Sequence, residues 1–322
     1  MKHKTKADIA QDFIRQHPGV PSKTLSRALR GAEPELFHTD DSAYKAILYV
    51  RGTCGKAQRK ARRLEPSLPP SSEHIWLPFN LQPTSKDVIA LFSDIHVPFH
   101  NLKALECAIA EAVRCGATIV MLNGDTMDCH ELSRYERDPR ERCFRDEIPL
   151  AVQLLAYLRS KFKKARILWK DGNHDERLYL YLRRHAPALL GVDAFEAKSV
   201  LKLDNYGIEY ITEKRPIVCG KLNILHGHEY IGGITAPVNP ARGLFMRAKA
   251  CCIEGHFHQT SEHSEPTLEG KNIACWSTGC LSELHPSYMP LNKWNHGFAM
   301  IEMGREGNFR VRNRKIINGE IW

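Results

Sequence analysis

The first fifth of the chain repeats apolar residues at the three- and four-residue spacing of amphipathic helices. This spacing predicts a helix over residues 7–16, which a Pro-Gly pair closes. A second helix is predicted after a cap at Ser22, and a third after a cap at Asp41 or Ser42. The chain is therefore expected to begin with three short helices.

From residue 87 the pattern changes to short apolar runs that alternate with amphipathic segments. Strands are predicted at 88–92, 117–122 and 165–169, with helices at 102–114, 149–161 and 176–185. Further strands are predicted near 208–211, 222–225, 251–254, 273–276 and 298–303. This alternation is typical of a layered α/β domain, and the helix-poor later part indicates a second sheet packed on the first.

A stretch rich in Pro and Ser lies between these two regions and includes the run from Pro69 to Ser72. Such composition is typical of an exposed linker. We therefore predict a helical domain over residues 1–63, a linker over 64–86 and an α/β domain over 87–322.

Composition limits the class of protein. The 322 residues are 43% hydrophobic and 26% charged, which is ordinary for a globular chain. Every apolar run is too short for a membrane span, and the N-terminus lacks the apolar segment of a signal peptide. The ten cysteines have irregular spacing without a CxxC pair, so we expect reduced thiols. These features predict a cytoplasmic protein without a membrane partner and leave the oligomeric state open.

Positive charge is concentrated near the N-terminus. Residues 1–70 hold 14 of the 46 Lys and Arg residues but 7 of the 37 Asp and Glu residues, and thus most of the net charge of +9. Five of these basic residues lie within 56–63. Three helices with a tight turn resemble a helix-turn-helix module, and clustered Lys and Arg gain affinity for nucleic acid by releasing counterions. We predict that residues 1–63 bind nucleic acid; the alternative is a structural cap on the larger domain.

Five predicted strands end directly in residue types that bind metals. In chain order, these ends read Ser-Asp-Ile-His (93–96), Asn-Gly-Asp (123–125), Gly-Asn-His-Asp (172–175), His-Gly-His-Glu (226–229) and Gly-His-Phe-His (255–258). Loops at the carboxyl ends of strands in an α/β sheet converge on one crevice, so these side chains can meet. A single block could be a helix cap, a turn or a structural histidine. The five blocks together indicate a metal site.

This ordered set of D-x-H, GD, GNHD, HGH and GHxH blocks resembles the calcineurin-like metallophosphoesterase superfamily over about residues 87–303. The resemblance, which extends to the phage and prophage type of these proteins, implies a four-layer α/β/β/α sandwich with a two-metal site. Carried over by position, one metal would be held by Asp94, His96, Asp125 and His258. The second would be held by Asp125, Asn173, His226 and His256, with Asp125 bridging the two.

The donor types agree with such a site. Imidazole, carboxylate and amide ligands suit Mn²⁺, Fe, Zn²⁺ or Ni²⁺ better than Ca²⁺, and we take Mn²⁺ as the preferred ion. Two metals roughly 3.5–4 Å apart share a water, lower its pKa and clamp the attacking and leaving oxygens of an in-line displacement.

Further residues are implied around the substrate. In the family, the histidine of the GNHD block protonates the leaving alkoxide, and that role falls here on His174, which a carboxylate could orient. His228 is implied either to touch the phosphate or to support the ligands. Arg177 could bind substrate phosphate or be an ordinary surface arginine. The same choice applies to Arg134, Arg137, Arg140 and Arg142.

A segment rich in polar and aromatic residues follows the last block. Within it, Tyr288, Trp294 and His296 either stack on or bond to a base, or the aromatic rings pack in the core. The sequence leaves these two interpretations open.

The sequence thus predicts an enzyme that hydrolyses phosphate esters through a metal-bridging hydroxide, with nucleic-acid phosphodiesters as the preferred substrates. A phosphomonoesterase acting on nucleic-acid ends, nucleotides or phosphoproteins is the alternative. A third hypothesis is a DNA-binding regulatory protein with an inert phosphoesterase domain. That hypothesis predicts damaged metal ligands, whereas every matched position is intact.

Overall fold

The computed structural model describes residues 4–54, 68–72, 76–135, 143–230 and 238–322. Contacts divide the chain into two compact units, Met1–His74 and Ile75–Trp322. The basic run over 56–63 and the arginines at 137, 140 and 142 lie outside the described residues. Among the described helices, none has the length and apolar character needed to cross a bilayer.

Three helices are described in the first unit. They are α1 (Lys6–Gln16), α2 (Ser22–Ala32) and α3 (Asp40–Val50). Their apolar faces meet in a small core that includes Leu25, Leu29, Phe37 and Ile47. Burial of these amphipathic faces stabilises helices that are too short to be stable alone.

Two of the predicted helix caps are wrong. Thr39 caps α3 by accepting a hydrogen bond from the Ser42 N–H, so Asp41 and Ser42 both lie inside the helix. Thr39 can do so because its own backbone is extended, which is the geometry of a capping residue. Ser22 is the first residue of α2 and does not cap it.

Thirteen strands and five helices are described in the second unit. The strands are β1 (Phe79–Asn80), β2 (Val88–Phe92), β3 (Ile119–Asn123), β4 (Arg166–Lys170), β5 (Ile208–Ile211), β6 (Ile217–Cys219), β7 (Leu222–Ile224), β8 (Cys252–Glu254), β9 (Ser261–Pro266), β10 (Asn272–Ser277), β11 (His296–Met303), β12 (Phe309–Ile317) and β13 (Glu320–Ile321). The helices are α4 (Leu102–Arg114), α5 (Phe144–Lys161), α6 (Arg177–His185), α7 (Ala197–Val200) and α8 (Pro240–Ala248).

The strands form two mixed sheets. Seven lie in the order β13-β12-β11-β2-β3-β4-β5, and six lie in the order β1-β6-β7-β8-β10-β9. In the first sheet β2 to β5 are parallel neighbours, whereas β11 pairs antiparallel with β2. In the second sheet β7, β8 and β10 run parallel. Each sheet therefore has a central group of parallel strands whose carboxyl ends meet at one edge.

Alternation along the strands separates two large cores. On β2, Ile89 and Leu91 pack in the core between the sheets, while Ala90 and Phe92 pack against the helices. The outer face of the second sheet is covered by α8, through Leu244. The order of layers is therefore helix, sheet, sheet, helix, which confirms the predicted α/β/β/α sandwich.

The structure corrects three finer assignments. Residues 79–81, which the sequence analysis places in the linker, pack in the second unit: β1 pairs with β6, and Leu81 is buried between the sheets. The strands at 208–211 and 298–303 lie in the first sheet as β5 and β11, not in a second sheet. Helix α5 begins at Phe144 and contains Pro149, whose missing N–H costs it one backbone hydrogen bond.

Candidate metal centre

The five sequence blocks come together because of the strand order. Asp94, Asp125 and Asn173 follow β2, β3 and β4, three adjacent parallel strands of the first sheet. His226 and His256 follow β7 and β8, parallel neighbours in the second sheet. The His256 N–H donates to Asp94 Oδ2 at 2.9 Å, which ties the two sheets together at this edge. All five blocks thus line one crevice.

The backbone is strained where the ligand candidates lie. Five of the seven have φ angles between +52° and +68°, namely Asp94, His96, Asp125, His256 and His258. A residue other than glycine in this left-handed region costs on the order of 1–3 kcal/mol, and such strain clusters at functional sites. The surrounding hydrogen bonds hold these side chains in a geometry that the chain alone would avoid.

Glycines allow the backbones to approach closely here. Gly124 has a φ of +86°, and a Cβ at this position would overlap the ring of His226. A Cβ at Gly172 would overlap the carboxylate of Asp125. The glycines of the GD and GNHD blocks therefore make room for the side chains of neighbouring blocks.

Six of the seven candidate ligands fall into two groups, and His96 also belongs to a third group with Asp128 and His174. Asp94, His96 and His258 each offer a donor atom within 4.8 Å of the others, and so do Asp125, His226 and His256. The His258 Nε2 lies 3.2 Å from Asp94 Oδ1, and the His226 Nε2 lies 3.3 Å from Asp125 Oδ2. Asp125 Oδ2 is also 3.8 Å from the His96 Nε2. Asp125 therefore faces both groups, as a bridging ligand would.

Two of the histidines are oriented through the nitrogen that faces away from the groups. The His96 Nδ1 is 2.9 Å from Asp128 Oδ1, and the His226 Nδ1 is 2.8 Å from the Asn123 carbonyl oxygen. Both acceptors require an N–H at Nδ1, which leaves each Nε2 with a lone pair for a metal. Ligand histidines in metalloproteins are held in this way.

Several buried polar atoms in the described part of the chain have no hydrogen-bond partner. Among the candidate ligands they include Asn173 Oδ1 and His226 Nε2. A buried polar group without a partner costs about 1–3 kcal/mol, so such atoms at one place indicate a missing ligand. The donor set fits divalent transition metals. The backbone N–H of His174, the residue after Asn173, donates to Asp125 Oδ1 at 2.8 Å, which places Asn173 next to the second group.

The buried carboxylates of the site favour the binding of cations. Although burial opposes it, Asp125 raises the pKa of His226 to about 10, and Asp94 likewise raises the pKa of His258. The pKa of Asp125 itself is well below its usual value because neighbouring histidines, His226 first, outweigh its burial. Protons on these histidines supply the positive charge that a metal would supply, so metal binding should release protons.

Asp128 is a site residue that the sequence analysis missed. Its Oδ1 accepts hydrogen bonds from His96 at 2.9 Å and from the His174 Nδ1 at 3.0 Å. Burial disfavours its charged form, but these two histidines hold the pKa of Asp128 far below its usual value. The orienting carboxylate for His174 is therefore Asp128, three residues after Asp125. Its spacing from the GD block was the available signal.

The predicted substrate residues lie around this crevice. Arg177 donates to the Asp128 carbonyl oxygen at 2.7 Å, and its Nη2 lies 3.0 Å from the His174 Nε2. The His228 Nε2 is 3.2 Å from Glu176. Arg134, Arg177 and His228 line one pocket of about 240 Å³. Their side chains are therefore grouped beside Asn173, which lines the same pocket.

Buried carboxylates hold the loops of the site in place. Glu229 accepts hydrogen bonds from the backbone N–H groups of His226 and Gly227, and the buried Lys170 lies 2.7 Å from its Oε1. Although burial opposes it, Lys170 lowers the pKa of Glu229 to about 2. Asp175 accepts from the backbone N–H groups of Met127 and Gly172. Asp175 and Glu229, the last residues of their blocks, therefore hold the backbone of these loops in position.

The fold is an α/β/β/α sandwich, and two groups of Asp and His donors lie at the carboxyl ends of its parallel strands. This combination defines a class of metal-dependent hydrolases. A family model of the calcineurin-like phosphoesterases matches residues 88–275, which is more than half of the chain. The chain belongs to this family, and it is therefore a metal-dependent phosphoesterase.

Relatives that match about three quarters of this chain occur in phages. The Gene 54 protein of Mycobacterium phage L5 is 29% identical over 253 residues, which are 73% of this chain and 98% of that protein. The Gene 54 protein of Mycobacterium phage D29 is 28% identical, with the same two coverages.

Solved structures resemble the chain more distantly. The match to a dimetal phosphatase from Danio rerio covers 71% of this chain and 96% of that protein, with 12% identity and a TM-score of 0.37. The match to the phosphoesterase Yfce from E. coli covers 70% of this chain and 98% of that protein, with 15% identity and a TM-score of 0.34.

Proposed function

We propose that this phosphoesterase is a dinuclear enzyme that prefers the phosphodiesters of nucleic acids. One metal would be held by Asp94, His96, Asp125 and His258, and the other by Asp125, Asn173, His226 and His256. The bound metals, with Mn²⁺ as the preferred pair, supply an activated water and neutralise charge on the phosphate.

The observation that carries the dinuclear site is the position of Asp125. Its carboxylate lies between the two groups of donor atoms and is 2% exposed. A buried carboxylate that faces donors on both sides is stabilised by a cation on each side.

His174 is the general acid of the proposed mechanism. Asp128 accepts the Nδ1–H of His174, which directs the Nε2 toward the crevice, 4.0 Å from Asp125 Oδ2. Asp128 also stabilises the imidazolium form of His174, which gives its Nε2 proton to the leaving oxygen. Arg177 Nη2 lies 3.0 Å from that Nε2, to which it can donate only when the Nε2 carries no proton. When His174 is protonated, this Arg177 N–H donates instead to a non-bridging oxygen of the phosphate.

The basic pocket beside the second group supports a substrate with more than one phosphate. Besides Arg134 and Arg177, Arg184 and Lys214 line it. A monoester needs no cationic site beyond the one that holds its phosphate, whereas a nucleic acid strand brings further phosphates at regular spacing. This observation favours a nucleic-acid diester over a small monoester.

Relative rates on two chromogenic substrates test the reaction type. With Mn²⁺, we expect faster hydrolysis of bis(p-nitrophenyl) phosphate than of p-nitrophenyl phosphate. Hydrolysis of the monoester alone would establish the phosphomonoesterase alternative. If neither substrate is hydrolysed with any of Mn²⁺, Fe²⁺, Zn²⁺ or Ni²⁺, the inert-domain hypothesis becomes the better one.

Replacing Arg184 with alanine tests the contact with a second phosphate. We expect KM for a single-stranded oligonucleotide to rise about 10-fold, as for the loss of one charge-assisted hydrogen bond, with a smaller change for bis(p-nitrophenyl) phosphate. Arg183, which is exposed and adjacent, provides the matched control, because Arg183→Ala should change neither KM. Equal effects of the two variants would exclude a role of the pocket in binding the strand.

Residues 1–63 are proposed to add affinity for nucleic acid through their excess of Lys and Arg. A chain consisting of residues 75–322 should bind an oligonucleotide about 10-fold more weakly than the full chain, with a shallower dependence on salt. Hydrolysis of bis(p-nitrophenyl) phosphate by both chains controls for folding. Equal affinities and equal salt slopes would instead favour a structural cap.

A further inference from the structure

A second pocket, also of about 240 Å³, lies on the other side of the candidate metal centre. His96 and His258 of the first ligand group line it, together with Asp128. Three aromatic residues, Phe99, Tyr288 and Trp294, form the rest of its wall with polar residues between them. The basic pocket and this aromatic pocket therefore lie beside different ligand groups.

The aromatic residues of this pocket are exposed or half-buried, and none of them belongs to the described hydrophobic cores. Tyr288 is 65% exposed and Phe99 is 37% exposed. Trp294 is half-buried, and its ring packs on His258, with centroids 4.1 Å apart. Core packing does not account for these side chains, because they are accessible to solvent. A group of exposed aromatic residues is typical of a binding site. His296 does not line this pocket but a different one, and its Nε2 lies 2.9 Å from the Ser282 carbonyl oxygen.

The loop that carries Tyr288 and Trp294 is held by its own hydrogen bonds. Asn292 donates to the carbonyl oxygens of Leu284 and Met289, and its side-chain oxygen accepts from the Trp294 N–H. The His285 Nδ1 lies 2.9 Å from the Pro290 carbonyl oxygen. The rings are therefore presented by a fixed scaffold, which lowers the entropic cost of binding a ligand between them.

We propose that this pocket binds the nucleobase of a nucleotide next to the scissile phosphate. The inference rests on the proposed function, because it places the phosphate at the metal centre. Drug-sized ligands occupy pockets of roughly 300–1,000 Å³, so a pocket of about 240 Å³ suits a smaller ligand such as one base with its sugar.

The chemistry of the wall fits a base better than it fits an aliphatic group. Exposed aromatic rings stack on the π-face of any base, so they provide affinity without sequence preference. Ser282 is 4% exposed, and its hydroxyl has no hydrogen-bond partner among the described residues. This hydroxyl can form a hydrogen bond with the polar edge of a stacked base, and an aliphatic ligand offers no such partner.

The test uses Tyr288→Ala with matched substrates. The substrates are thymidylyl-(3′→5′)-thymidine and its two abasic isomers, each lacking one of the two bases. For the dinucleotide, kcat/KM should fall roughly 5- to 150-fold, as for the loss of one stacked base. For the isomer that lacks the pocket-bound base, the fall should be at least several-fold smaller. Equal losses on all three substrates, or no loss on any, would overturn the proposal.

Two variants control for folding. Tyr288→Phe keeps the ring and should retain the kcat/KM of the wild type for the dinucleotide, whereas a general disturbance of the loop would lower it. Tyr157 is also exposed, at 42%, but lies on α5 away from the pocket. Tyr157→Ala should change none of the three rates.

Calorimetric binding separates failure of this inference from failure of the proposed function. Thymidine 5′-monophosphate should bind the full-length protein more tightly than 2-deoxyribose 5-phosphate, and Tyr288→Ala should remove that difference. A difference that depends on Tyr288, in a protein that hydrolyses no phosphate ester, would support the pocket and refute the enzyme. Equal affinities for the two ligands in an active enzyme would refute the pocket alone.

Discussion

Replacing Asp125 with asparagine is expected to abolish hydrolysis and to weaken the binding of both metals. Asp125 Oδ2 lies 3.3 Å from the His226 Nε2 and 3.8 Å from the His96 Nε2, so a single side chain serves both groups of donors. An amide at this position carries no charge and leaves both cations without their shared carboxylate. Metal content per chain, together with Mn²⁺-dependent hydrolysis of bis(p-nitrophenyl) phosphate, measures both effects.

The same substitution at a remote aspartate is the matched control. Asp193 is exposed and lies in the connection after α6, so Asp193→Asn should retain two metals and full activity. Thermal unfolding of each variant in chelator shows whether Asp125→Asn folds without metal. If Asp125→Asn is folded and still binds two metals with wild-type affinity, Asp125 does not bridge them.

The ligand candidates could be predicted from the sequence because each one immediately follows a strand. Runs such as 88–92 identify a buried parallel strand, and the residues after it must lie at the carboxyl edge of the sheet. Glycines beside Asp125 and Asn173 mark the close approaches that the structure contains. Local patterns were sufficient here, because strand order follows from the fold of the family.

Asp128 could not be assigned in the same way. Its role depends on two histidines from different loops, His96 after β2 and His174 after β4, which meet its carboxylate only in the folded chain. The sequence shows only an aspartate three residues after the GD block. An orienting residue has no pattern of its own, since any loop position of suitable geometry can supply the carboxylate.

Strands with few apolar residues were also missed. On β9, most residues of Ser261–Pro266 are exposed, since this edge strand buries little on either face. On β12, Phe309 and Val311 pack against the core between the sheets, but arginines alternate with them. A strand with one solvated face gives a weak apolar signal. The residue type of Tyr288 alone did not show whether its ring packs in the core. Its exposure in the structure excludes core packing.

Replacing His174 with alanine is expected to lower kcat by about 10²–10⁴-fold, the usual contribution of a general acid. The two metals should remain, because the side chain of His174 is grouped with His96 and Asp128 and not with the carboxylates Asp94 and Asp125. The loss should be greatest for an alkyl leaving group, which needs a proton, and small for p-nitrophenolate, which does not. A uniform loss across leaving groups would show that His174 positions the substrate and is not the acid.

Asp128→Asn should reproduce part of this effect through His174. An asparagine oxygen can still accept the Nδ1–H, but the neutral amide lacks the negative charge that favours the protonated ring as proton donor. The loss of kcat should therefore be larger for a poor leaving group, which needs the proton, than for p-nitrophenolate. In the double variant with His174→Ala, the second change should add little, because the two residues act as a unit. Multiplicative losses, or equal losses for good and poor leaving groups, would show that Asp128 acts through the ligand candidate His96 alone.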